Sequence, residues 1–168
     1  MKRFMLAGLA FACFQLATGA AAQSIVVQRP VPYSEDGDVQ EKVRNECKID
    51  EQLADFLKES AGENGLEIQF SEGPVDPAKG RVLDLRITSA ISMGNAFIGH
   101  QKSTAIAGTL YENGRKIASF KARRNSMGGA FAGYKGSCAV LGRTVKVLGE
   151  DVAKWLKDPV DGAKLGDA

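Results

Sequence analysis

KSTAIAGTLYENGRKIASFKARR, residues 102–124, carries the strongest structural signal in the chain. Two alternating runs flank Asn113-Gly114, the dipeptide that best tolerates the positive φ angles of a two-residue type I′ turn. The segment therefore predicts a β-hairpin. With a tight turn, Glu112 pairs with Arg115, Tyr111 with Lys116, Leu110 with Ile117 and Thr109 with Ala118. Alternation then puts Ala105, Ala107, Thr109, Tyr111, Ala118, Phe120 and Ala122 on one face. Most of these are small, so a helix is expected to pack on that face. Ile106, Leu110 and Ile117 share the other face with Glu112, Arg115, Lys121 and Arg123, which reads as partly solvated.

The chain ahead of the hairpin supplies helix and strand. Arg81–Met93 alternates, with Leu83, Leu85, Ile87, Ile91 and Met93 on one side and Asp84, Arg86, Thr88 and Ser92 on the other. It predicts a half-buried antiparallel strand. Leu66–Phe70 is a shorter strand of the same kind, and Ser71–Gly80, with Pro74 and Pro77, is a loop. Asp38–Ala61 reads as one helix with Val43, Cys47, Leu53, Leu57 and Ala61 near one face, and with Asp38 and Glu41 as a capping box. Ser24–Gln28 could form a first strand, and Arg29–Gly37 reads as a linker.

Beyond the hairpin, Asn125–Gly136 holds four glycines. Ser137 then predicts the N-cap of a final helix, Cys138–Lys157, with Leu141, Val145, Leu148, Val152 and Trp155 in one apolar stripe. Pro159 stops it, and the remainder reads as a frayed tail. The expected fold is an α+β two-layer sandwich: a mostly antiparallel sheet of four to five strands with two helices on one face. The expected organisation is a signal peptide at 1–22, a strand and linker at 23–37, one domain at 38–158 and a flexible tail at 159–168.

Met1-Lys2-Arg3, the apolar run Phe4–Leu16 and the small residues Gly19–Ala22 form a secretory signal peptide, with cleavage expected after Ala22. The expected location is the periplasm. Lipid anchoring at Cys13 is not expected, because Ala10-Phe11-Ala12 is a poor lipidation signal. Of 22 bases, Lys2 and Arg3 leave with the signal, so 20 bases face 20 acids in the mature chain. That balance gives no support for nucleic-acid binding. Cys13 leaves as well, and an exported chain with only Cys47 and Cys138 is expected to join them.

An exported helix, a run of antiparallel strands, a strand ending in SFKARR, the segment SMGGAFAG and a final amphipathic helix together resemble uncharacterised bacterial periplasmic proteins and lipoproteins. These are similar in fold to the amino-terminal domain of TolB and to the periplasmic domain of the curli secretion channel. The resemblance spans about Val39 to Lys157 and implies an envelope accessory domain, with no reaction and no catalytic residue.

The residues themselves offer no reaction either. Ser92 and Ser126 lack the first glycine of a nucleophile elbow, and His100 is the only histidine. No metal-ligand spacing is present, and Glu35, Asp36 and Asp38 read as a solvated turn. GGAFAGYKGS has the wrong spacing for a phosphate loop, so no cofactor is expected. The expected topology brings Gly94–Gln101 and Asn125–Gly136 to one end of the sheet. Phe97, Ile98, Phe131 and Tyr134 lie in these loops, flanked by His100, Lys102, Arg123, Arg124 and Lys135. Aromatics beside bases on glycine-rich loops suit an envelope protein or a membrane surface as partner. The other reading is a small ligand or anion held at the N-terminus of the last helix beside Lys135 and Arg124.

Overall fold

The computed structural model describes residues 24–93, 101–126 and 136–168. The expected signal peptide and most of both glycine-rich loops lie outside them. Among the described residues the fold is α+β, with three helices and a mixed sheet of seven strands. In chain order these are β1 (Ile25–Gln28), β2 (Tyr33–Val39), α1 (Glu41–Glu46), α2 (Ile49–Glu63) and β3 (Ile68–Ser71). There follow β4 (Arg81–Met93), β5 (Gln101–Glu112), β6 (Arg115–Ser126), α3 (Ser137–Lys157) and β7 (Ala163–Gly166). The strand order is β3-β1-β4-β5-β6-β7, and β2 continues beside β4 beyond the end of β1.

The hairpin forms where expected. Asn113 has φ 50° and Gly114 φ 82°, as the turn requires. The pairing beyond the turn differs from the simple expectation. A β-bulge between Leu110 and Tyr111 leaves Ile117 unpaired, so Leu110 faces Ala118, Thr109 faces Ser119 and Gly108 faces Phe120. One extra residue inverts the relation between the two strands. Thr104, Ile106, Gly108 and Leu110 now share a buried face with Ala118, Phe120 and Ala122, while Ile117 is exposed. The helices pack on this face: on β6 it is the expected one, with Ala118, Phe120 and Ala122 inward, and on β5 it is the opposite of the one expected from the small side chains. The reason is area. Ile106 and Leu110 gain more by burial than Ala105 and Ala107 would, at about 25 cal/mol per Å².

β4 has a bulge too. Ile87 faces Ile106 and Ser89 faces Ala105, so Thr88 is the extra residue. Leu83, Leu85 and Ile87 are in the core as expected, and the phase then shifts to Ala90. Met93, expected with them, is 55% exposed.

The single helix expected over Asp38–Ala61 is two. Asp38 belongs to β2 beside Ser89, so the expected capping box is absent, and α1 starts after Gln40 without a side-chain cap. The break falls at Cys47-Lys48, where Cys47 is buried and joined to Cys138 across 91 residues. The Cα atoms of the pair are 5.0 Å apart. α3 starts after Gly136 rather than with Ser137 as its cap.

Three further segments differ from expectation. Part of the linker is β2, with its irregular stretch between Tyr33 and Asp38. Residues 163–166 of the supposed tail pair in parallel with Phe120–Arg123 as β7. The sheet is mixed: β4–β5 and β5–β6 pair antiparallel, whereas β1–β3, β1–β4, β2–β4 and β6–β7 pair parallel. The core lies between the sheet and the α2–α3 pair. Phe120 and Trp155 meet edge to face there with ring centroids 4.7 Å apart, and the Trp155 indole N–H donates to Val160 O at 3.0 Å.

Candidate functional site

The bulged β4–β5–β6 meander determines where the glycine-rich segments start. Met93 pairs with Gln101, and Lys102 pairs with both Ser92 and Ser126. The strand ends that lead into 94–100 and 127–135 therefore stand side by side at one end of the sheet. Phe97, Ile98, His100, Phe131, Tyr134 and Lys135 lie outside the described residues. Of the expected site, Lys102, Arg123 and Arg124 are described.

These three bases do not converge. Lys102 is only 2% exposed, and its Nζ donates to Met93 O at 3.2 Å. Burial depresses its pKa, because taking an ammonium out of water favours the neutral form. Arg124 points to the helix side of β6. Its Nε and Nη2 bind the two Asp151 oxygens at 2.8 and 2.9 Å, and Nη1 lies 3.5 Å from Asp167. The hydrogen bond to Asp151 is the main cause of its raised pKa. Arg123 points to the opposite face, exposed, with Nε on Asn125 Oδ1 at 3.2 Å.

This geometry corrects the anion reading. Asp151 lies fourteen residues beyond Ser137 in α3, so Arg124 is anchored about 20 Å along the helix from its N-terminus. Arg124 cannot serve an anion held at the start of α3.

The described part of the rim has other features. The Cys47–Cys138 bridge ties the α1–α2 break to the first turn of α3. Beside it is an open cavity of about 220 Å³, lined by Gln40, Lys42, Glu46, Ser92 and Ser137. Gln40 Oε1 accepts the Ser92 N–H at 2.9 Å and ties the start of α1 to the end of β4. Just below the rim, Thr104 and Thr144 form a buried pair with hydroxyls 2.8 Å apart. Thr144 spends its proton on Leu141 O at 2.7 Å, so Thr104 is the donor between them. Neither threonine was visible as part of the rim in the sequence, because Thr144 falls between the apolar positions of its helix.

Among the described residues, no three His, Cys, Asp or Glu side chains come together to hold a metal, and no helix is long and apolar enough to cross a membrane.

No protein-family model matches the chain, and no curated protein matches it. Solved structures to which the chain is similar include a minor lipoprotein from Acinetobacter baumannii, at 11% identity and TM-score 0.46, with 84% of this chain and 98% of that one covered. A Xanthomonas campestris protein of family DUF330 is similar at 11% identity and TM-score 0.49, over 81% of this chain and 84% of that one. A lipoprotein from Neisseria meningitidis is similar at 14% identity and TM-score 0.41, over 78% of this chain and 99% of that one.

Proposed function

We propose that this protein is a non-enzymatic accessory module of the bacterial envelope, exported to the periplasm. Its working end is the rim where segments 94–100 and 127–135 leave the sheet. The single observation that supports this reading is the adjacency of Met93, Gln101 and Ser126 on neighbouring strands. It gives two segments bearing Phe97, Ile98, Phe131 and Tyr134 a common origin on a rigid sheet. The signal sequence and the Cys47–Cys138 bridge fit an oxidising compartment. The resemblance to the TolB amino-terminal domain and the curli channel domain belongs to the same reading. The partner is an envelope protein, engaged by aromatic anchors with bases around them.

The test is the double substitution Phe97→Ser and Phe131→Ser in the exported protein. The variant should melt at the wild-type temperature and lose the crosslinked envelope partner that the wild type retains. An unchanged crosslinking pattern overturns the reading, and loss of liposome flotation instead would make a lipid surface the partner.

A further inference from the structure

The sheet face turned away from the helices carries a second surface, independent of the rim. Register places Arg86 of β4, Ala107 of β5, Lys121 of β6 and Lys164 of β7 in one row across four adjacent strands. Arg123 stands in the next row beside Ala105. Arg86, Lys121, Arg123 and Lys164 are all exposed. Among the described residues, Arg86 alone of the four has a carboxylate side chain within ion-pairing distance, Asp84 at 3.3 Å, and Ala168 lines the same face beside Lys121 and Arg123. Lys121, Arg123 and Lys164 make no ion pair among the described residues. Like charges side by side on a sheet oppose folding. Between these bases, Ala105 and Ala107 leave the face low. Two open cavities of about 400 and 290 Å³ meet at Ala107 and Lys121 to form a basic trough with an apolar floor.

The complementary surface is on the same molecule. β2 bulges between Tyr33 and Asp38 and carries Glu35, Asp36 and Asp38 exposed at the edge of the sheet. None of the three makes an ion pair among the described residues. The bulge of the same chain borders the β4 end of the trough at Thr88 but lies far from its other end at Lys164. β2 and β7 are separated by β4, β5 and β6, which is four strand spacings or roughly 19 Å. The segments outside the described residues cannot supply the missing acid either, since 1–23, 94–100 and 127–135 contain no Asp or Glu.

We infer that the occupant of the trough is a second copy of this chain, which inserts its acidic β2 bulge between Arg86, Lys121 and Lys164. The two surfaces differ, so the contact is heterologous and propagates from copy to copy rather than closing as a two-fold dimer. The contact is small and charged, so it is transient and salt-sensitive.

Sedimentation of the mature protein tests this. At about 0.5 mM protein in about 20 mM salt, the weight-average mass should rise at least about twofold above the monomer, and about 0.5 M salt should return it to the monomer. Lys121→Glu with Lys164→Glu should abolish association, and so should Glu35→Lys with Asp36→Lys. An equimolar mixture of the two variants should associate again. All four positions are exposed, and unchanged melting curves would confirm folding. A wild type that stays monomeric in low salt overturns the inference, as does association that survives both charge reversals or fails to return in the mixture. A monomer that instead takes another acidic protein into the trough also overturns it.

Discussion

Thr104 and Thr144 show how one buried hydroxyl constrains another. Thr144 already donates to Leu141 O, so its oxygen accepts from Thr104. Thr144→Val should leave the Thr104 donor buried and unpaired, costing about 1–3 kcal/mol in urea unfolding. The double change to Val at both positions should recover most of that loss, because no orphaned group remains. A double variant as unstable as the single one would refute this account. Gly108 makes a related point about space. A Cβ there would sit 2.5 Å from the Phe120 ring. The bulge that brings Gly108 opposite Phe120 therefore works only with glycine at that position. In the sequence, Gly108 reads merely as a weak strand residue, and its reason lies on the partner strand.

At the scale of elements, β7 shows what holds a short edge strand. Asp161, in the turn before it, accepts from Ser119 Oγ at 2.7 Å and pairs with Lys116 Nζ at 3.0 Å. These two hydrogen bonds, Ser119 first, hold its pKa at about 2. A carboxylate with a depressed folded pKa stabilises the fold fully above its unfolded pKa and loses that contribution as pH falls through the folded value. Wild type should therefore exceed Asp161→Asn in urea midpoint by a constant margin from neutral pH down to about 5, and the margin should shrink below that and vanish only below about pH 2. A margin that disappears already at pH 6 would point to another group. β7 was illegible in the sequence because AKLG is too short for a pattern. Only the parallel partner Phe120–Arg123 makes it a strand. β4 and the hairpin were legible because their alternation is long and the Asn-Gly turn is specific. Their bulges were not, since an inserted residue leaves no local mark.

For the whole molecule, the Cys47–Cys138 bridge closes a separation of 91 residues and binds the helical layer to the rim. Constraining the unfolded chain to that loop contributes about 4 kcal/mol. Reduction, or Ala at both cysteines, should lower the melting temperature by roughly 10 °C. The intact mass of the exported protein should correspond to a chain starting at Gln23 with two hydrogens missing; free thiols would refute the bridge, and a lipid on Cys13 would refute the cleavage site. Of the expected site, the common end for the two glycine-rich segments was readable from strand direction alone. That Lys102 is buried, Arg124 held at mid-helix and Arg123 turned to the opposite face was not. What the amino-acid order determined by itself is local: a reversal at Asn113-Gly114, alternating strands and amphipathic helices. What only the tertiary structure decided is phase, that is, which face of each strand is inside. The side-chain period of a strand is two, so the single extra residues at Thr88 and Ile117 reassign every side chain beyond them. The cost of those bulges is repaid only when α3 covers Ile106, Leu110 and Phe120.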